Sequence, residues 1–262
     1  PGRVGPMTQS MVVVANPRPN SFVRALAEEA AAGLTEAGHE VVLHDLYAEG
    51  FRPVLESEEG RTTRRADESA LTVGADPLVH RHRRDLSAAH TLVVAHPNWW
   101  GKPPAIMAGW MDRVLVPGVV YELDAAEGEP TCLLDLRRLI VLNTGDTPAE
   151  RETGVFGDPL SLIWERCVGA YLGGAEVRRL LASPVAGSTP EQRRAWLVRA
   201  RHSDPAGIIV LAYNRHAARE IKKRLYDLTG NIAAAITVLT YDGMAMRLLG
   251  IRITGKEDVE DK

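Results

Sequence analysis

The sequence predicts an α/β protein: one open parallel sheet of five strands with helices on both faces, followed by a small αβ appendage. Three observations carry this. Short, almost uninterrupted apolar runs recur at Met11–Ala15, Val41–Leu43, Thr91–Ala95, Leu139–Leu142 and Val177–Leu181, as strands buried on both faces read. Between them, apolar residues return every three or four positions, the mark of amphipathic helices. Strand, helix and strand in succession make the right-handed crossover unit of a parallel sheet.

Length and composition set the bounds. A chain of 262 residues holds one large domain, or one domain with an appendage. Its 45% apolar and 25% charged residues are those of a globular protein with a sizeable core. A formal net charge of −3 gives no overall argument for a nucleic-acid or membrane partner. The two cysteines, Cys132 and Cys167, match no metal or redox spacing, so they are expected to be reduced core thiols of a cytoplasmic protein. No apolar run approaches a membrane span, and the start of the chain lacks a signal-peptide layout. Pro1 to Pro6 precede Met7 and read as cloning-derived or upstream read-through.

The first strand ends in the turn Asn16-Pro17-Arg18-Pro19-Asn20-Ser21-Phe22. Val23, Leu26, Ala27, Ala30, Ala31 and Leu34 then share one helical face, with Asn20 or Ser21 as N-cap and Gly38 as terminator. After the second strand, Gly50–Leu55 is an irregular apolar segment expected to fold over the sheet edge. Glu56 to Ser69 mixes both charges and is expected to be a solvated excursion. Pro77 opens a helix to Ala89. Its His80 and His82 stand two apart, point to different sides and are expected at the surface, with no metal between them. Leu160, Ile163, Trp164, Cys167 and Val168 form the buried face of a later helix. Thr189-Pro190-Glu191-Gln192 opens a closing one.

The chemistry lies in the loops after strands one, three and four. A helix N-terminus offers unpaired N–H groups and partial positive charge, so the Asn16–Phe22 turn is ready for phosphate, with Ser21 adding a hydroxyl and Arg18 a charge. It has no GxGxxG glycines. The third strand runs into His96-Pro97-Asn98-Trp99-Trp100-Gly101 and then a helix bearing Ile106, Met107, Trp110, Met111, Val114 and Leu115. Alone, two adjacent tryptophans fit either a wall for a flat ring or a plug for the core. The fourth strand runs into Asn143-Thr144-Gly145. In open α/β sheets ligands bind beyond the carboxyl ends of the strands, where strand order reverses. Phosphate at the first loop and a planar ring between the other two describe a flavin nucleotide site.

Residues 10 to 200 resemble the flavodoxin-like NAD(P)H:quinone oxidoreductases. The most specific match is HPNWWGKPPAIMAGWMDRV, beside the family's P-x-W-W/F-G-x-P-A-I/L-x-K-G-W-x-D-R-V pattern. The N-terminal loop and helix, GFRPVL at Gly50–Leu55 and FGDPL at Phe156–Leu160 match in order as well. The resemblance implies bound FAD, with FMN as the alternative, and NAD(P)H as co-substrate. It also implies a quinone or other small aromatic electron acceptor, and a homodimer. It places the cofactor among Asn16, Arg18, Asn20, Ser21, Phe22, Pro97, Asn98, Trp99, Trp100, Gly101, Asn143, Thr144 and Gly145. Trp99 and Trp100 would be a stacking platform, and hydride would pass from NAD(P)H through the flavin to the acceptor. Relatives place a Tyr and a His after the fourth strand. Here Phe156 stands at the His position and no Tyr lies between Asn143 and Val155. Ala108 replaces the Lys of the helix, and Trp110 could serve at a dimer contact or in the core. A non-catalytic or regulatory flavoprotein, an electron carrier or a potassium-efflux ancillary subunit, is the alternative implied by those departures.

From Asp204 the pattern starts afresh: strands at Ile208–Ala212 and Ile236–Thr240, and between them a basic helix with Arg219, Lys222, Lys223 and Arg224. AYNRHAAREIKKRL and VLTYDGMAMRLLG resemble DNA-strand-contacting motifs of UvrD-like superfamily 1 helicases. The phosphate loop GxxxxGK followed by Ser or Thr is absent from the chain, so neither helicase activity nor a nucleic-acid partner is expected. The predicted domains are residues 8–201, 204–255 and a disordered tail, 256–262.

Overall fold

The computed structural model describes residues 8–59, 70–123, 128–203, 209–229, 237–241 and 244. Pro1–Pro6, most of the 56–69 excursion, the first residues of both C-terminal strands and the 256–262 tail lie outside them. The chain divides into two compact units, Pro1–Ser203 and Asp204–Lys262.

In the first unit the elements follow the order β1 (Gln9–Val14), α1 (Phe22–Glu36), β2 (Glu40–Asp45), α2 (Pro77–Ala88), β3 (Thr91–Pro97) and α3 (Ala105–Val114). A two-residue antiparallel ladder, β4 (Tyr121–Glu122) with β5 (Thr131–Cys132), precedes β6 (Arg138–Thr144) and α4 (Ala149–Gly154). Next come α5 (Pro159–Ser161), which runs on as a π-helix through Leu162–Val168, then β7 (Glu176–Ala182) and α6 (Pro190–Arg201). Five strands form one sheet in the order β2-β1-β3-β6-β7, and every pairing in it is parallel. The expected α/β architecture is therefore present, each observed strand reaching a residue or two beyond its apolar run.

Alternation along the strands supplies two cores. Met11, Val13, Leu92, Val94, Leu139 and Val141 face α2, α3 and the indoles of Trp110 and Trp164. Val12, Val14, Val93, Ile140 and Leu142 face α1 and α6. Trp110 and Trp164 are fully buried, and truncating either to Ala costs about 3–5 kcal/mol. Trp110 is thus a core residue. Gly109 beside it is required by contact: a Cβ there would lie 2.1 Å from the carbonyl oxygen of Pro53. α1 starts at Ser21, whose side chain caps the Arg24 N–H. α6 starts with the capping box of Thr189 and Gln192.

Three burial expectations are corrected, two of them for residues expected at the surface and one for cysteines expected in the core. His82 is completely buried, because Val79, His82, Arg83 and Leu86 recur at helical spacing on the core face of α2. Glu59, at the start of the charged excursion, is buried between two buried arginines, with Oε1 2.9 Å from Arg83 and Oε2 2.8 Å from Arg113. Cys167 is exposed and Cys132 half-buried. The i→i+5 bonding of the π-helix turns Cys167 away from the buried side that Trp164 occupies.

The second unit is a βαβ unit: β8 (Ile209–Ala212), α7 (Arg215–Thr229) and β9 (Thr237–Thr240), with the strands parallel from Ile209 opposite Thr237.

Candidate functional site

Parallel register brings the three predicted loops to one edge. Val14 lies beside Ala95, Ala95 beside Leu142, and Pro97 beside Thr144. The Ala15 N–H donates to the Ala95 carbonyl at 2.9 Å, and the Asn98 N–H to the Thr144 carbonyl at 2.7 Å. Strand order reverses between β1 and β3, so the crevice opens where the turn after β1 faces the loop after β3.

Each loop is held locally. After β1, the Asn16 side chain accepts from the Arg18 N–H at 2.9 Å, folding the turn so that Ser21 opens α1. Arg18 and Asn20 are exposed, Ser21 and Phe22 half-buried. After β3, Trp99 and Lys102 exchange two backbone hydrogen bonds of 3.2 Å, closing a two-residue tip. Trp100 and Gly101 at that tip have φ of 60° and 70°, as a type I′ turn requires. Glycine meets that demand freely. Tryptophan does not, and such a residue costs on the order of 1–3 kcal/mol. Trp100 is 97% exposed, so its own packing does not repay the strain. After β6, Gly145 lies close to the Asn98 side chain, and a Cβ on it would stand 3.2 Å from the Ser183 hydroxyl.

Asn143 is placed differently from its neighbours. It is fully buried; its Oδ1 accepts from Arg179 Nε at 2.8 Å and its amide nitrogen lies 3.2 Å from His96. It therefore supports the loops from below, while Thr144 and Gly145 continue to the edge.

Sequence reasoning missed the polar layer beneath the loops. His96, wholly buried, accepts the Trp164 indole N–H on Nε2 and faces the Pro97 carbonyl with Nδ1. Burial, with Arg179 nearby, pushes its pKa down to about 4, against the opposing hydrogen bond to Pro97. Buried Glu152 accepts from the Asn98 side chain at 2.7 Å. Asp158 pairs with Arg179. The only sequence signal for His96 was its place at the end of an apolar run.

A second cluster lies under β2. Glu49 spans two histidines, 2.9 Å from His44 Nδ1 and 3.0 Å from His82 Nε2, and His44 Nε2 reaches Asp85 at 2.9 Å. The two rings stack with centroids 3.8 Å apart. Burial acts to raise Glu49, yet the hydrogen bonds from His44 and His82 outweigh it and hold it at about 2. His44, Glu49 and His82 have the composition of a metal site. Trp110, however, donates its indole N–H to His82 Nδ1 at 3.0 Å. That fixes the His82 proton on Nε2, which faces Glu49, so the ring serves as a hydrogen-bond donor there and has no free lone pair for a metal.

A cavity of about 410 Å³ opens between α3, the π-helix and β4, lined by Met111, Leu115, Val116, Val168, Tyr171 and Leu172 among others. None of the three loops lines it.

An open doubly wound sheet with three loops gathered at its switch point is the class of protein defined by these elements. Residues 8–202 match the family model described as the flavodoxin-like fold, and the chain belongs to that family. It is similar to NAD(P)H dehydrogenase (quinone) 1 of Rattus norvegicus, 29% identical over 167 residues, covering 60% of this chain and 61% of that protein. Ribosyldihydronicotinamide dehydrogenase (quinone) of Homo sapiens is 26% identical over 165 residues, 59% of this chain and 71% of that protein. Among solved structures, an NAD(P)H:quinone oxidoreductase from Methanothermobacter marburgensis matches with a TM-score of 0.62 at 27% identity, covering 75% of this chain and 97% of that one. An azoreductase from Bacillus anthracis str. Sterne, at 20% identity and a TM-score of 0.58 over 75% of this chain and 98% of that one, shares the fold. The chain thus spans 61% of the rat relative's length.

Proposed function

We propose that the N-terminal unit is a flavin-dependent oxidoreductase that takes a hydride equivalent from NAD(P)H and passes two electrons to a quinone or similar aromatic acceptor. The observation that carries this is the convergence of a capped helix start, an aromatic turn and the Thr144–Gly145 loop on one switch-point crevice. The relatives support it: they are named quinone dehydrogenases and oxidoreductases. We take FAD as the cofactor, with FMN as the alternative.

The residues present fit a flavin nucleotide. α1 runs 15 residues from its Ser21 cap, so the first N–H groups of a full-length helix would hold the phosphates, with Ser21, Phe22 and Arg18 beside them. Pro97 to Gly101 and Thr144–Gly145 would flank the ring from neighbouring strands, with Asn16 and Asn20 at the nucleotide end and Asn143 holding the floor. Bound flavin supplies the two-electron chemistry itself. What the chain contributes is placement: Trp99 and Trp100 give an aromatic surface on which an acceptor stacks, worth about 0.5–1.5 kcal/mol beyond its buried area. Phe156, 53% exposed, stands where the resemblance expects a histidine and offers no proton donor.

That apolar residue favours a second reading, a regulatory or electron-carrying flavoprotein. One preparation separates the two. The purified chain is expected to carry the absorption bands of oxidised flavin, released on denaturation and identified by mass, and to turn over NADPH with menadione. Flavin without turnover favours the second reading; a colourless protein that gains nothing from added FAD or FMN overturns both.

We also propose a homodimer and a cytoplasmic location. Buried Trp110 is not a dimer contact, and no helix among the described residues is long and apolar enough to cross a membrane. The C-terminal unit we take as an appendage similar to a helicase fragment and without ATP-driven activity. The nearest approach to a phosphate loop, Gly250 to Lys256, is followed by Glu257 where a hydroxyl residue is needed.

A further inference from the structure

We propose that Glu152 is a positioning residue that acts through Asn98 to hold the Trp99–Lys102 turn and so present Trp100 at the crevice mouth. Trp100 stands in a left-handed conformation with almost its whole surface in solvent. Among the described residues nothing above the turn secures that conformation, so the turn must be secured from below.

Asn98 does this with its backbone N–H and both ends of its side-chain amide. Its N–H is bound to the Thr144 carbonyl at 2.7 Å. Its Oδ1 accepts the Gly101 N–H at 2.9 Å, across the turn. Because an N–H can be accepted only by the amide oxygen, the Asn98 NH2 is directed the other way, where Glu152 Oε1 lies 2.7 Å off. Remove Glu152 and the amide can rotate, leaving Gly101 without its acceptor.

Glu152 is 3% exposed, a position where a carboxylate is tolerated only with good partners. It belongs to a closed circuit. Its backbone carbonyl accepts the Asp158 N–H at 2.9 Å; Asp158 pairs with Arg179; Arg179 Nε donates to Asn143 at 2.8 Å. Asn143 precedes Thr144, which holds Asn98. The turn, the end of β6, α4 and β7 are thereby locked to one another, and Glu152 is the member whose side chain orients the amide of the turn's anchor. A purely structural carboxylate would stabilise the fold evenly; this one is placed to stabilise four residues.

The consequence for catalysis rests on the flavin reading, but the geometry does not, and the test keeps them apart. Amide hydrogen exchange is measured by NMR on the flavin-free protein for Gly101 and Lys102, with Val141 of β6 as the internal reference. Glu152→Leu is expected to speed exchange at Gly101 by about ten- to a hundredfold, the size of one hydrogen bond to a charged acceptor, with Val141 unchanged. Glu152→Gln retains an acceptor oxygen for Asn98 and is expected to restore protection. Should Glu152→Leu fail to fold, Glu152→Met, closer in length and likewise without an oxygen acceptor for the Asn98 NH2, is expected to show the same selective loss. Unchanged protection at Gly101 in a folded Glu152→Leu or Glu152→Met protein overturns the proposal, as does a loss spread equally over Val141. In flavin-loaded protein the Leu variant is expected to raise KM for menadione more than it lowers kcat. Wild-type protein that binds no flavin would sink the proposed function and leave the exchange result standing.

Discussion

Nε2 of His96 accepts the indole N–H of Trp164 at 2.9 Å, which leaves the single proton of that imidazole on Nδ1, facing the Pro97 carbonyl at 2.9 Å. A protonated ring would set N–H against N–H. His96, the penultimate residue of β3, is therefore built to stay neutral, as its complete burial requires.

Acid sensitivity follows. His96 is pushed down to about 4, chiefly by burial, and burial also lowers His82, below the ordinary value near 6.5. The unfolded chain then binds protons first, so their contribution is complete above pH about 6.5 and is lost as pH falls toward the folded values. For His96 alone the full loss is about 3 kcal/mol. Glu49, held at about 2, keeps its contribution until the pH falls below its ordinary carboxylate range, so a decline between pH 6.5 and 5 reports the histidines. Urea midpoints at pH 7.5 and 5 are expected to differ, and His96→Gln, which still accepts from Trp164, is expected to narrow the gap. Equal wild-type midpoints would refute this.

Trp100 at φ 60° carries strain that Asn, the favoured residue ahead of Gly in such turns, does not. Trp100→Asn is expected to raise stability by about 1 kcal/mol in urea unfolding and to weaken menadione turnover. A destabilised variant would show that the indole is held by contacts that repay its conformation.

Glu59 joins Arg83 and Arg113, all three buried, and ties the loop after Phe51 to α2 and α3. Glu59→Leu removes the carboxylate that bridges two buried guanidinium groups, although Arg113 keeps Glu56 at 3.4 Å and Asp76 at 3.3 Å, and is expected to cost about 3 kcal/mol. A thermal midpoint within a degree or two of wild type would contradict that.

The hydroxyl of Ser21 caps α1 at a rather long 3.4 Å, so Ser21→Ala is expected to lower stability by only about 0.5–1 kcal/mol. Its effect on flavin affinity, measured by fluorescence quenching, is expected to be the larger one. The reverse order would make Ser21 a cap and nothing more.

The sheet was legible because buried strands and amphipathic helices leave a periodic record: Val12–Val14 and Leu139–Leu142 are strands wherever they are met. The three loops were legible because strand order and the Trp-rich motif place them together. The layer under the loops was not, since Asn98 and Glu152 are 54 positions apart and His96 and Trp164 are 68 apart, and no spacing rule links them. His82 and Arg83 were hidden by composition: in HRHRR they look like a solvated face, although Val79 and Leu86 on either side set the buried phase. Glu59 was hidden likewise, its acidic neighbours Glu56 and Glu58 suggesting solvent where two distant arginines wait.

The central claim is that the crevice between the Ser21 turn, the Pro97–Gly101 turn and Gly145 holds a flavin. Titrating the purified, flavin-stripped chain with FAD and with FMN while following flavin fluorescence tests it most directly. Saturable quenching at one flavin per chain is expected with at least one of the two, and it should be weakened by at least about tenfold, some 1.4 kcal/mol, when Trp99 and Trp100 are both replaced by Ala. No saturable binding of either flavin, or binding indifferent to that replacement, would contradict it.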